Sequence, residues 1–222
     1  MAHDADSGPR RRPAAKPRYR RDAGPAWLSA GYRPFFLLAG LWSMIVLPLS
    51  VAAILGLLPE ALVLDPLRWH FHELMFGYIA AAVAGFLLTA IPNWTGRLPL
   101  QGGPLLGLVC LWGAGRLAML AAGTIGPLAA AALDSLFLAV LAGLVARELV
   151  AGRNRRNLPM LAILAAFLGA NIMFHAVSLG LLPDGGYDRR SAIACIAFLV
   201  ALIGGRVTPS FTRHWLVKHE AA

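Results

Sequence analysis

Apolar residues in this chain gather into runs of about twenty, the length a helix needs to cross the hydrocarbon core of a bilayer. Short stretches rich in Pro, Gly, Asn and charge separate them. The pattern predicts six helices. The first covers 35–57, opened by Pro34, with Pro48 inside it at a place where a lipid-buried helix tolerates a kink. The second covers 66–91 and carries its own start signal, Asp65 as N-cap and Pro66 in the first helical position, with Pro92-Asn93 as its stop. The others are expected at 104–122, 127–150, 158–182 (opened by Asn157-Leu158-Pro159) and 190–207. The predicted fold class is all-α, a polytopic six-helix transmembrane bundle. A basic, disordered tail (1–26) precedes the membrane domain (27–216), and a short tail (217–222) follows it. No solenoid-length repeat is visible.

Charge orients this bundle. Only 14% of the residues are charged while 58% are hydrophobic, against roughly 25% charged in soluble domains. The net charge of +9 is concentrated. Arg10, Arg11, Arg12, Lys16, Arg18, Arg20 and Arg21 crowd the tail, and Arg97, the segment Arg147 to Arg156, Arg213 and Lys218 fall on the same side of the predicted topology. The opposite loops hold Glu60, Asp65, Asp184 and Asp188 with few basic residues. The positive-inside rule then places both termini in the cytoplasm. The tail reads as a topology signal touching anionic lipid rather than a nucleic-acid arm. It lacks the cleavage site of a secretory signal. Trp69 and Trp94 fall at opposite ends of the second helix, as interfacial anchors do. Cys110 and Cys195 sit in different spans near opposite membrane faces, too far apart for a disulfide.

This topology brings polar residues to one depth in the outer half of the membrane. His72 lies about seven residues into its helix, roughly 10 Å deep at 1.5 Å per residue. Arg116, Asp134 and His175 lie at comparable depths in the third, fourth and fifth helices, with Asn171 one turn from His175 on the same face. Ionisable groups at such depth are costly and mark functional sites. Arg116 and Asp134 are read as a mutual ion pair, with a direct role in holding an anion or propionate as the alternative. His175 is read either as an interhelical hydrogen-bonding group or, facing the histidines of the second helix, as a haem or metal ligand. His70 and His72 are about 200° apart around a regular helix and cannot chelate one ion. His70 shares a face with Glu73, and His72 with Met75 and Phe76. One of the two is a ligand, or each serves its own centre, and a haem plus a copper uses both. The small residues Gly77, Ala81, Ala84 and Gly85 allow close packing or leave room for a flat cofactor. Motifs for covalent haem attachment, phosphate loops, zinc proteases and hydrolytic nucleophiles are absent from the sequence. No reaction is chosen, so whether the protein is an enzyme stays open.

Several segments together resemble the NnrS family of bacterial inner-membrane proteins. They are Gly31-Tyr-Arg-Pro-Phe-Phe36, Trp69-His-Phe-His-Glu73, Ala84-Gly-Phe-Leu-Leu-Thr-Ala-Ile-Pro-Asn-Trp-Thr-Gly96, Arg116, Asp134, Arg153-Asn-Arg-Arg-Asn-Leu-Pro159, Asn171 with His175, and Gly204-Gly-Arg-Val-Thr-Pro209. The resemblance implies a haem- and copper-containing, multi-pass protein of the bacterial cytoplasmic membrane. It also implies nitric oxide as the small-molecule ligand and a link to nitrosative stress and denitrification. On that basis His70, His72 and His175 are the candidate haem or metal ligands, with Glu73, Arg116, Asp134 and Asn171 supporting them. Family members carry a second set of spans, so this chain is expected to match their N-terminal half, as a truncated product, a member that pairs with itself, or one part of a split protein. The reading from another class is a non-catalytic module or half-transporter that binds a small solute or metal ion. No nucleic-acid partner is expected.

Overall fold

Residues 24–58 and 65–220 are described in the computed structural model of the chain. The basic run of the tail and the loop acid Glu60 lie outside them. Six long helices follow one another: α1 (Tyr32–Ile54), α2 (Pro66–Thr95), α3 (Gly103–Leu120), α4 (Pro127–Ala151), α5 (Leu158–Ser178) and α6 (Tyr187–Glu220). Among the described residues the first five are long and apolar enough to cross a membrane. The final helix does not stop near Val207 but continues to Glu220.

The start of α2 follows its sequence signal. The Asp65 carboxylate accepts from the backbone N–H groups of Leu67 and Arg68, capping a helix whose first residue, Pro66, has no N–H to satisfy. Its end lies later than the expected stop. Pro92 is absorbed into the last turn and the helix closes at Gly96, whose φ of 70° supplies the left-handed residue that terminates many helices. Between Glu73 and Ile79 the helix widens into a π segment. Such segments insert a residue into the regular ladder and recur at functional sites.

α2 is the axis of the bundle. Of its most apolar eighteen-residue stretch 61% is buried, against 28–39% in the other four spans. α1 packs along one side of it and α4 along another, while α3 pairs with α4, and α5 with both α4 and α6. The buried stripe of α2 runs through Trp69, His72, Glu73, Phe76, Gly77, Ala80, Ala81 and Ala84. Trp69 is therefore a core residue and not an interfacial anchor. Small residues are used for contact: a Cβ on Gly85 would fall 2.8 Å from the Phe36 ring, and one on Gly115 3.2 Å from the Asp134 backbone. Cys110 and Cys195 are both free thiols.

One end of the bundle gathers Arg97, Arg147 and Glu148, with the N-terminal segment tied to the α2–α3 loop through Gly102 N–H to Leu28 C=O and Gln101 to Ser29 C=O. At the other end Arg68 clasps the top of α5 and α6. Its guanidinium donates to Asp184, to the buried Asp188, to Ser178 and to the Phe174 carbonyl, and lies 4.4 Å from the centre of the Phe174 ring.

Candidate metal centre

The wide turn of α2 faces Trp42 of α1 and Arg116 of α3, and Gly77 is what lets it. A Cβ there would lie 2.7 Å from both Arg116 Nη1 and Trp42 Nε1 and 2.9 Å from Glu73 Oε2. Only a residue without a side chain allows these groups to meet over the helix surface. Trp112 of α3 completes the contact, donating Nε1–H to the Gly77 carbonyl at 3.1 Å and standing edge-on to Trp42.

Glu73 is fully buried and fully used. Oε2 accepts from Trp42 Nε1 and from Arg116 Nη1, both at 2.9 Å, and Oε1 lies 2.9 Å from His72 Nδ1. Arg116 reaches on to Asp134 Oδ1 through its other terminal nitrogen. The ion pair of α3 and α4 expected from depth alone is thus one half of a fork, with Glu73 on the second prong.

Asp134 Oδ2 is oversubscribed. His72 Nε2 lies 3.0 Å from it, His175 Nε2 2.8 Å, and Asn171 Nδ2 donates at 2.7 Å. Ser135 in turn donates to Asn171 Oδ1 at 2.7 Å and fixes which way that amide points. A carboxylate oxygen offers about two lone-pair sites, and three nitrogens converge here on one oxygen. His72, Asp134 and His175 each offer one donor atom within 4.8 Å of one another, all buried. Two imidazoles and a carboxylate at that spacing suit a single metal ion, which sits about 2.0–2.2 Å from such ligands. An ion between the three would take over the contacts that now crowd Oδ2.

His72 adds a second argument. Both of its ring nitrogens face a carboxylate. A neutral imidazole has one N–H and one lone pair, so with Nε2 committed to a metal its Nδ1–H is left to donate to Glu73. That is the carboxylate–histidine–metal relay found behind most ligating histidines. The charge count agrees. Glu73 and Asp134 are buried carboxylates with Arg116 as the buried guanidinium between them, leaving excess negative charge in a low-dielectric interior that favours a cation.

The same packing limits what else fits. The His72 and His175 ring centroids are 5.0 Å apart, and Phe76 and Phe174 close on His72 at 5.2 and 5.1 Å. No porphyrin plane passes between these two imidazoles. His70 is not part of this cluster. It lies beside the buried stripe, half-buried, with Nδ1 enclosed and unpartnered, on an apolar groove of about 650 Å³ bordered by Leu47, Val51 and Leu55.

Of the residues singled out from the sequence, the fold thus joins His72, Glu73, Arg116, Asp134, Asn171 and His175 in one network and sets His70 apart. Trp42 and Ser135 belong to the network without any sequence signal beyond being polar-tipped residues in apolar helices. Arg68 carried a weak one, an arginine in the first turn of a membrane-length helix.

Comparison with known proteins adds the relationship. Neither a search of curated proteins nor one of solved structures gave a match. A family model does match, that of the NnrS protein, over residues 26–222. Membrane-length helices enclosing a buried His–Asp–His group fit a membrane metal-binding protein. The match covers every residue of that group and most of the chain, and on it the protein belongs to the NnrS family.

Proposed function

We propose that the protein is an integral membrane haem/copper protein linked to nitric oxide metabolism and nitrosative-stress resistance. Copper is held by His72, Asp134 and His175 in the outer half of the bacterial cytoplasmic membrane. One observation carries the metal reading: two imidazole nitrogens from different helices converge on a single carboxylate oxygen, with a second carboxylate behind one of them. Copper accepts imidazole ligation readily. Family membership supports the link to nitric oxide, which enters such a site through lipid. The apolar runs of the sequence support six spans, and the distribution of basic residues supports an orientation with both termini inside.

Haem belongs to a second centre in this reading. The half-buried His70 at the edge of an apolar groove supports His70 as its ligand, and the crowding around His72 argues against a shared axial pair. When bound, the metals supply the redox chemistry, and the chain's residues hold and orient them.

Metal analysis and visible spectra of the tag-free protein in detergent test this. His72→Ala and His175→Ala are expected to lose copper, and His70→Ala to lose the reduced haem bands while keeping copper. A folded protein that takes up neither metal nor haem refutes the proposal. It favours instead the reading of a solute-binding half-transporter.

A further inference from the structure

A pocket of about 300 Å³ at the Asp184 end of the bundle reaches the metal centre at His175. Its lining includes Asp65, Arg68, Trp69, Met119, Asp184 and His175. Of the three ligand residues His175 alone lines it, and their exposures follow the same order: His175 7%, Asp134 2%, His72 0%. Phe76 and Glu73 pack against His72, with Phe167 behind Phe76, and none of the three lines the pocket.

The charge of the lining selects what comes in. All three nitrogens of the Arg68 guanidinium already donate, to Ser178, Asp184, Asp188 and the Phe174 carbonyl. The fully buried Asp188 side chain offsets its charge. Arg189 pairs with Asp184 as well, so the carboxylates of Asp65, Asp184 and Asp188 stand against the guanidiniums of Arg68 and Arg189 and leave the mouth with one excess negative charge. A volume of this size holds about ten waters at roughly 30 Å³ each, enough for an ion that still carries its hydration shell.

We propose that this pocket is the loading port of the metal centre. A hydrated cation collects at Asp65 and Asp184, loses water inside, meets His175 first and passes from it to Asp134 and His72. The inference rests on the metal-centre reading above and adds the route and the order of ligation to it.

The test uses Co²⁺ as a coloured probe of loading in the tag-free, chelator-stripped protein, followed by stopped-flow absorbance. Met119→Cys is placed in a Cys110→Ala, Cys195→Ala background and modified with a bulky methanethiosulfonate reagent. Modification is expected to slow loading at least about tenfold, with recovery once the label is reduced off and the reductant removed. Asp184→Asn is expected to slow loading several-fold at low salt and less at high salt, because collection by an anionic mouth is screened. Both proteins still reach wild-type stoichiometry. Equal rates before and after modification, or an Asp184→Asn protein as fast as wild type at low salt, overturn the port while leaving the metal centre standing. An unmodified protein that binds no Co²⁺ overturns both.

Discussion

Glu73→Gln isolates the group behind the proposed ligand His72. The substitution keeps size and shape, and a glutamine oxygen still accepts from Trp42 or Arg116, which the carboxylate now serves together at 2.9 Å each. What changes is the side facing His72, where the glutamine amide opposes Nδ1 with a donor or leaves Arg116 without its second acceptor. Loss of a carboxylate behind a ligating histidine costs about 10- to 100-fold in metal affinity, or about 1.4–2.8 kcal/mol at 1.4 kcal/mol per tenfold. The upper end is expected, because the change also removes the excess negative charge that Glu73 and Asp134 hold against Arg116. The metal-free protein loses about 1–3 kcal/mol from a buried polar group left unsatisfied. Chelator competition measures the first quantity and thermal unfolding of the stripped protein in detergent the second. A Glu73→Gln protein with affinity within about twofold of wild type refutes the relay, since a carboxylate that orients a ligand cannot be neutralised at so little cost.

Two other changes probe the framework that holds this carboxylate. Gly77→Ala drives a methyl into the space shared by Arg116, Trp42 and Glu73; an overpacking loss of about 1–3 kcal/mol is expected, read as a lower midpoint in thermal unfolding, together with weaker metal binding. Arg116→Met strands two buried carboxylates; a loss of about 3–5 kcal/mol and poor recovery from membranes are expected. Metal added during expression should partly restore Arg116→Met by replacing the missing positive charge, and yields insensitive to metal would refute that account.

What the sequence revealed and what it hid divide along a physical line. Helix positions were legible because crossing a bilayer fixes their length and composition, and Asp65-Pro66 announced the start of α2 within a residue. Depth was legible as well. Counting from helix ends put His72, Arg116, Asp134 and His175 at one level, and they meet in one network. Angular position around each helix axis was not legible, because it depends on which neighbour packs where. Grouping Glu73 with His70 by spacing missed that Glu73 lies in the buried stripe beside His72. Trp42 went unseen for the same reason, since its only mark in the sequence is an indole in an apolar run, and what makes it part of the site is the approach of α1 to Gly77.

The wide turn explains why Glu73 reaches so many partners. A regular helix spaces successive residues by about 100°, which separates a histidine from the residue that follows it. His72 ends the regular part of the helix and Glu73 begins the π segment, so two neighbours in sequence both stay in the core and their side chains touch at 2.9 Å. The Gly77 carbonyl, which accepts from the Ala80 N–H within the helix, also accepts from Trp112. The residue with no side chain thus serves twice, opening space for Arg116 and Trp42 and offering its carbonyl to the helix that carries Arg116. Asp134 has no such accommodation on its own helix. It is held by groups from α2, α3 and α5. An ion placed among His72, Asp134 and His175 would link the regular end of α2 to α4 and α5.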